Sequence, residues 1–182
     1  FIIAAKNKLD MFGIVCVAFL ASFGGGLFRD LLVDRTPFVF SETYPLIVLL
    51  ITVTVAFIFN LHKHTKLTDN YVFLISDSIG LAICAVTGAT VGLTANFNLG
   101  GVVILALLTS VGGGVIRDVI LNKIPFVFKA DFYGTIALFI GFIVWVTNYF
   151  YELNSISLTL IITFGFCLRL LAIKWKWYLP GV

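Results

Sequence analysis

The chain has 182 residues, of which 60% are hydrophobic and 12% are charged, with a formal net charge of +3 and a mean hydropathy of +1.10. So few charged groups cannot coat a water-soluble domain, and the apolar segments reach the length that a membrane-spanning helix requires. This composition excludes an ordinary soluble protein and indicates an integral membrane protein.

Six complete apolar spans follow one another along the chain, joined by short polar connections. Because the runs are continuously apolar, without the alternation of a barrel strand, they predict helices, and we expect an all-α, polytopic membrane fold. Residues 1–5 look like the end of a further span. The predicted spans are Leu9–Leu32, Tyr44–Leu61, Tyr71–Leu93, Leu99–Leu121, Phe132–Tyr149 and Ile156–Ile173.

Two stretches of the sequence are nearly the same. Residues 22–40 read SFGGGLFRDLLVDRTPFVF and residues 110–128 read SVGGGVIRDVILNKIPFVF, with ten of nineteen positions identical at an offset of 88. An internal duplication explains this self-similarity. We predict a first repeat at 1–70, a second repeat at 71–154, and a final helix with a basic tail at 155–182.

At this offset the second repeat begins with a whole helix, residues 71–88, whose counterpart lies upstream of Phe1. We therefore expect seven spans in the native protein, three plus three plus one, with most of the first helix missing from the given sequence. Cleavage of a signal peptide is the alternative, but it would leave the two repeats unequal. An odd number of helices in each repeat gives the repeats opposite orientations, so an inverted repeat is predicted.

Lysines collect in alternate connections, whereas the other connections hold only Arg35. This bias predicts a multi-pass protein of the cell membrane with its N terminus outside and its C terminus in the cytoplasm. The lysines on the predicted inner side are Lys6, Lys8, Lys63, Lys66, Lys123, Lys129, Lys174 and Lys176.

Three consecutive glycines lie inside one helix of each repeat. Each glycine costs about 1 kcal/mol relative to alanine in a helix, so we expect both helices to bend or open there and to mark a substrate or ion path. Close packing of small residues is the alternative. Carbonyl groups freed at the break, together with nearby hydroxyls, could replace part of a cation's hydration shell. The glycines are Gly24, Gly25, Gly26, Gly112, Gly113 and Gly114, and the hydroxyls belong to Ser22, Thr109 and Ser110.

An Arg-Asp pair follows each glycine triplet, as Arg29-Asp30 and as Arg117-Asp118. Charges inside a span are costly and face a bundle interior or a wet cavity. Because sequence neighbours do not face each other on a helix, we expect each charge to find its partner on another helix. A scaffold role and a direct role as ligand site or gate both remain open. Asp77, early in its helix, is either a helix-start acid or part of the same site.

The duplicated Gly-Gly-Gly-x-x-Arg-Asp, followed by Pro37 and Pro125, resembles the prokaryotic trimeric intracellular cation (TRIC) channels. The resemblance implies a homotrimer in which each protomer has its own pore, lined chiefly by the two glycine-broken helices. It implies permeability to potassium and other monovalent cations, such as sodium, with membrane lipids around the protein. By position, the six glycines would be kinks, and Ser22, Ser110 and the Arg-Asp pairs would lie nearby.

No enzyme chemistry is indicated by the sequence. There is no nucleophile beside a base, the three cysteines lie singly, and the triple glycine lacks the Lys-Ser/Thr ending of a phosphate loop. We expect no cofactor, no metal site and no nucleic-acid partner. Two other functions stay open: a secondary transporter of a small zwitterion such as glycine, held by an Arg beside an Asp, and a purely structural membrane scaffold.

Overall fold

The structure, a computed structural model, describes residues 1–7, 9–61, 71–128, 132–175 and 177, and only the backbone of residues 71 and 72. Within these ranges every regular element is helical. The elements are α1 (Ile2–Lys6), α2 (Met11–Leu32), α3 (Phe38–Ser41), α4 (Tyr44–Ile58), α5 (Tyr71–Thr94), α6 (Leu99–Ile120), a 3₁₀ turn (Phe126–Phe128), α7 (Tyr133–Phe150) and α8 (Ser155–Lys174).

The predicted all-α membrane fold is confirmed. Helices α2, α5, α6, α7 and α8 are long and apolar enough to cross a membrane. Helix α4 is also apolar but has 15 residues, and at 1.5 Å per residue it is about 22 Å long, shorter than a hydrocarbon core of roughly 30 Å. The short α1 includes most of the segment that is expected to end a further span. The remainder of that span stays a prediction.

Helices α2 and α6 repeat one another residue by residue. Both have 22 residues, and their bounds are offset by 88. The carboxylate of Asp10 caps α2 by accepting from a backbone amide at 2.7 Å, and the side-chain oxygen of Asn98 caps α6 in the same way at 2.9 Å. Beyond the other ends, Asp34 and Asn122 take the left-handed conformation that stops a helix. Equivalent residues thus begin and end both helices.

The two equivalent helices cross in opposite directions. Gly25 of α2 meets Thr109 of α6, whereas Ala21, one turn earlier in α2, meets Gly113, one turn later in α6. Because each pair is offset from the other by 88 residues, the crossing has an approximate two-fold symmetry. This antiparallel crossing is the inverted repeat predicted from the sequence.

The lysines behind the orientation prediction are described only in part. Lys6 and Lys123 border the same cavity and therefore lie at one end of the bundle. Arg35 follows α2 and lies towards the other end, because α2 and α6 are antiparallel. Five more lysines of the prediction lie outside the described residues, namely Lys8, Lys63, Lys66, Lys129 and Lys176.

The main core lies between α5, α6, α7 and α8, and α6 is central because α2, α5 and α7 all pack against it. A Cβ on Gly88 of α5 would lie 2.6 Å from the carbonyl oxygen of Leu105, so α5 also approaches α6 through a glycine. Helix α4 packs mainly on α2 and exposes an apolar surface that suits lipid. Its exposed apolar residues include Ile47, Val48, Leu50, Ile51, Val55 and Ile58.

Candidate functional site

The glycine triplets lie where α2 and α6 cross. A Cβ atom on Gly25 would lie 3.0 Å from the carbonyl carbon of Thr109 and closer still to its oxygen. A Cβ atom on Gly113 would meet the carbonyl group of Ala21 at the same distance. A side chain cannot come this close to the backbone of another helix, so both positions require glycine at the observed helix separation.

We expected these glycines to make the two helices bend or open; the opening is wrong, and a bend stays a prediction. Helices α2 and α6 continue through the triplets, and no described glycine has a positive φ. The physical reason is packing, because the glycine hydrogen in the Cβ direction points at a carbonyl oxygen of the other helix. Such weak Cα–H···O contacts recur at helix–helix interfaces. The triplets therefore bring two backbones together, as in the packing alternative, and do not free carbonyl groups.

The three glycines of a triplet have different neighbours. A Cβ on Gly112 would lie 3.0 Å from the Cα of Gly25, so the first two positions of each triplet face the other helix. Gly26 and Gly114, the third positions, have within 4 Å of their Cβ sites only the Nη2 atom of the arginine three residues further on. The third glycine thus lies beside the arginine of its own helix, at ordinary van der Waals distance, and does not face the other helix.

The three hydroxyl groups expected near a cation route have different surroundings. The hydroxyl of Thr109, buried at the crossing, donates to the carbonyl oxygen of Leu105 at 2.6 Å. The hydroxyl of Ser110 donates to the carbonyl oxygen of Ala106 at 2.9 Å. Ser22 lies on an exposed side of α2. Because a donating hydroxyl keeps lone pairs on its oxygen, the role of these groups towards a cation stays a prediction.

In each Arg-Asp pair, the arginine is hydrogen-bonded to the aspartate that follows it in the sequence. The Nε of Arg29 donates to Oδ1 of Asp30 at 2.8 Å, and the Nε of Arg117 donates to Oδ1 of Asp118 at 2.8 Å. The expectation that these charges pair with another helix is therefore wrong. The arginine side chain is long enough to lie back along its own helix over the third glycine, and this position brings its Nε to the neighbouring carboxylate.

The second oxygen of each aspartate holds the chain that follows the helix. Oδ2 of Asp30 accepts a hydrogen bond from the backbone amide of Phe38 at 2.9 Å. Oδ2 of Asp118 accepts one from the amide of Phe126 at 2.8 Å. Each bond closes the connection that contains the proline, which explains why Arg-Asp and Pro-Phe recur together at a fixed spacing. These contacts support the scaffold role of the two pairs.

Asp77 belongs to a cluster at which α5, α7 and α8 meet. The hydroxyl of Tyr133 donates to Oδ1 of Asp77 at 3.2 Å, and the guanidinium carbon of Arg169 lies 4.9 Å from the centre of the Tyr133 ring. Asp77 lies beyond the first turn of α5, so it is not a helix-start acid. Tyr133 and Arg169 were not among the site residues predicted from the sequence. The only signal for Arg169 was a single charge inside the last span, where charges are costly.

A cavity of about 320 Å³ adjoins this cluster, between α1, α5, α6 and the start of α7. It brings together four of the site residues predicted from the sequence, whereas Arg29 and Asp30 are not part of its lining. The four are Asp77, Gly114, Arg117 and Asp118. Lys6 and Lys123 stand at its exposed rim, and Tyr133 completes the polar lining. The apolar lining residues are Ile3, Phe73, Val111, Val115, Ile124, Phe126 and Val127.

Comparison with known proteins identifies the fold and the family. The sequence matches the family described as "Glycine transporter" over residues 1–61 and 74–149. It is 31% identical to the UPF0126 membrane protein YvgT of Bacillus subtilis over 99% of this chain and 87% of that protein. A structure solved for the basis of conductance through TRIC cation channels superposes with a TM-score of 0.90 at 31% identity, covering 100% of this chain and 88% of that one. The chain belongs to the TRIC channel family.

A second TRIC channel, the trimeric intracellular cation channel orthologue from Rhodobacter sphaeroides, superposes with a TM-score of 0.84 at 25% identity. This match covers 96% of the chain and 89% of that orthologue. The relation to TRIC proteins thus extends over the whole helical bundle and is not restricted to the duplicated motif. These two relatives are described as channels, not as enzymes.

Proposed function

We propose that the chain forms a homotrimeric channel for monovalent cations, permeable to potassium and sodium, with one permeation route in each protomer. The match of the entire chain to a TRIC cation channel at a TM-score of 0.90 carries this proposal. The five helices of spanning length place the protein in a membrane, and we propose that this is the cell membrane, with lipids against the exposed face of α4.

The route runs beside the α2–α6 crossing, because the two backbones touch at Gly25 and Gly113 and leave no space between them. The inner end of the route is the cavity that Asp77 and Arg117 line. Carboxylate, carbonyl and hydroxyl oxygens can replace part of a cation's hydration shell. In the cavity, Asp77 supplies the carboxylate that attracts the cation, and the hydroxyls beside the triplets supply further oxygens along the route.

The substitution Asp77→Asn tests this route in single-channel recordings in planar bilayers. It removes one negative charge but keeps an oxygen that can accept from Tyr133. We expect potassium conductance to fall by about tenfold at low ionic strength, because a charged lining concentrates the permeant ion, and by less at high salt, where screening is stronger.

The control for this experiment is Asp10→Asn, which removes the same charge from the exposed cap of α2 and leaves the cavity unchanged. Equal conductance in the Asp77→Asn variant and the unsubstituted protein would remove Asp77 from the route. An unsubstituted protein that passes no potassium or sodium current would refute the channel itself.

A secondary transporter of a small zwitterion is the second candidate function. The cavity favours it because a guanidinium, on Arg117, and a carboxylate, on Asp77, line the same space. The family description "Glycine transporter" points the same way. Saturable uptake of glycine into proteoliposomes, with competition between substrates and no unitary current, would support the transporter over the channel.

We also propose that the rim of the cavity faces the cytoplasm, since Lys6 and Lys123 stand there and lysines favour the inner side of a membrane. This orientation assumes the predicted division of the chain into a first repeat (1–70), a second, inverted repeat (71–154) and a final helix with its tail (155–182), and we propose that division as well. In a variant without native cysteines, a cysteine at position 123 should be shielded from an impermeant thiol reagent in intact cells, and one at Ser155 should react. The opposite labelling pattern would reverse the orientation.

A further inference from the structure

Arg117 lines the cavity and has hydrogen-bond donors that none of the described groups of the protein uses. The Nε atom donates a hydrogen bond to Asp118, and Nη2 lies 4.0 Å from the Cβ position of Gly114. Neither terminal nitrogen forms a hydrogen bond to any residue that the structure describes. Both oxygens of Asp118 are already occupied, by Arg117 and by the amide of Phe126. A guanidinium in this state presents the paired N–H groups that match a carboxylate.

Asp77 leaves a complementary acceptor in the same cavity. Its Oδ1 accepts from Tyr133, whereas within the described part of the chain Oδ2 has no hydrogen-bond donor. A carboxylate oxygen in a largely apolar cavity is matched best by a charged donor such as an ammonium group. The cavity therefore offers one group for a carboxylate and one for an ammonium.

The size and the walls of the cavity indicate the rest of the ligand. Its volume of about 320 Å³ corresponds to roughly ten water molecules at ~30 Å³ each. Glycine, with five heavy atoms, would leave about half of that space to water. The remaining walls are apolar side chains, among them Phe73, Val111, Val115 and Val127, and such walls favour an apolar group over trapped water.

We propose that the cavity is a binding site for a zwitterionic amino acid with an apolar side chain of about the size of leucine. The carboxylate of the ligand binds the terminal nitrogens of Arg117, its ammonium binds Oδ2 of Asp77, and its side chain fills the apolar wall. Lys6 and Lys123 at the rim attract the carboxylate on entry. The proposal gives the second candidate function, the transporter, a defined site and substrate class. Transport of the ligand rests on that candidate function, whereas binding of the ligand does not.

Isothermal titration calorimetry on the full chain in lipid nanodiscs tests the site with four compounds. They are leucine, glycine, isocaproate, which lacks the ammonium, and isoamylamine, which lacks the carboxylate. We expect leucine to bind at least about tenfold more tightly than glycine, because each methylene in a hydrophobic pocket adds affinity. We expect isocaproate and isoamylamine to bind at least about tenfold more weakly than leucine, because each leaves one charged group of the site unpaired.

Two variants locate the binding in the cavity. Arg117→Lys keeps the charge but loses the paired donors, and Asp77→Asn keeps the shape but loses the partner of the ammonium. Each should weaken leucine binding by about tenfold or more. The control is Arg35→Gln, which removes a positive charge from an exposed residue that does not line the cavity, and its affinity for leucine should be unchanged.

Three results would overturn the proposal: no binding of leucine, equal binding of leucine and glycine, or equal affinity of both cavity variants and the unsubstituted chain. Should Arg117→Lys fail to fold, Asp77→Asn alone decides whether the binding lies in this cavity. The titration does not depend on ion flux. If the chain binds leucine but passes no current, the channel is refuted and the binding site stands. If the chain conducts but does not bind leucine, the binding site is refuted and the channel stands.

Discussion

Arg29 and Asp30 are enclosed by protein, whereas Arg117 and Asp118 border the cavity, although the two pairs form the same hydrogen bonds. The side chains of the first pair are 8% and 0% exposed, and those of the second pair are 19% and 7% exposed. Asp30 has a second cation, Arg35, at 3.8 Å. The repeated motif therefore specifies a local structure, and the helices around each copy decide whether that structure seals the interior or lines a cavity.

The two copies also share one contact, the crossing of α2 and α6, and its loss should have the largest effect. Gly25→Leu and Gly113→Leu each place a side chain against a carbonyl group of the other helix. We expect both variants to lose folded protein, with a destabilisation above about 3 kcal/mol. The measurement is the yield of monodisperse protein in size-exclusion chromatography.

The matched control is Gly80→Leu in α5, because the structure describes no group beyond the neighbouring backbone of α5 within 4 Å of the Cβ position of Gly80. This variant should keep the profile of the unsubstituted protein. A folded, monodisperse Gly25→Leu or Gly113→Leu protein would show that the crossing is looser than the observed contacts require. A loss in only one of the two variants would break the equivalence of the copies.

Replacing the aspartate of each Arg-Asp pair should destabilise the protein by different amounts in the two copies of the motif. Asp30→Ala leaves Arg29 buried without its carboxylate, and breaking a buried pair in this way costs about 3–5 kcal/mol. Asp118→Ala should cost less, about 1–3 kcal/mol, because Arg117 is more exposed and can reach water in the cavity. Thermal unfolding in detergent measures both. Equal losses would mean that the cavity does not solvate Arg117.

Removing the N-terminal cap of α2 or of α6 should cost the same stability in both copies. Asp10→Ala and Asn98→Ala each remove a side-chain acceptor for a backbone amide at the start of α2 or α6. We expect each to reduce the free energy of unfolding by about 1 kcal/mol, as measured by denaturant titration in micelles. A loss at one helix alone would show that the other helix start is held by something besides its cap.

The two smallest effects are expected at Arg35 and at its counterpart Lys123. The Arg35 side chain is 52% exposed and lies 3.8 Å from Asp30, so Arg35→Ala should cost about 0.2–1 kcal/mol, as exposed ion pairs do. Lys123→Ala, the equivalent change in the second repeat, should change stability less, since the described ion pairs do not include Lys123. Thermal unfolding at low salt compares the two, and a larger loss for Lys123→Ala would reverse this ranking.

The sequence by itself determined the membrane class, the spans and the duplication of this protein. Apolar length and residue identity at a fixed offset are local properties of the chain, and α2 and α6 accordingly begin and end at equivalent positions. The inverted orientation also followed from the sequence, since a repeat with a predicted odd number of helices gives the next repeat the opposite orientation. The ends of the predicted spans agree with the helices to within two residues, except that α4 ends at Ile58 and not at Leu61.

Tertiary structure alone decided what the glycines and the charges do. A glycine weakens a helix equally whether the helix opens or packs, and only the position of Thr109 against Gly25 shows that these helices pack. The cluster beside the cavity could not be found from a local pattern, because Asp77, Tyr133 and Arg169 come from three helices and meet only after the bundle has formed. Contacts between distant segments depend on how helices cross, and the crossing distance is set by the side chains of both partners together.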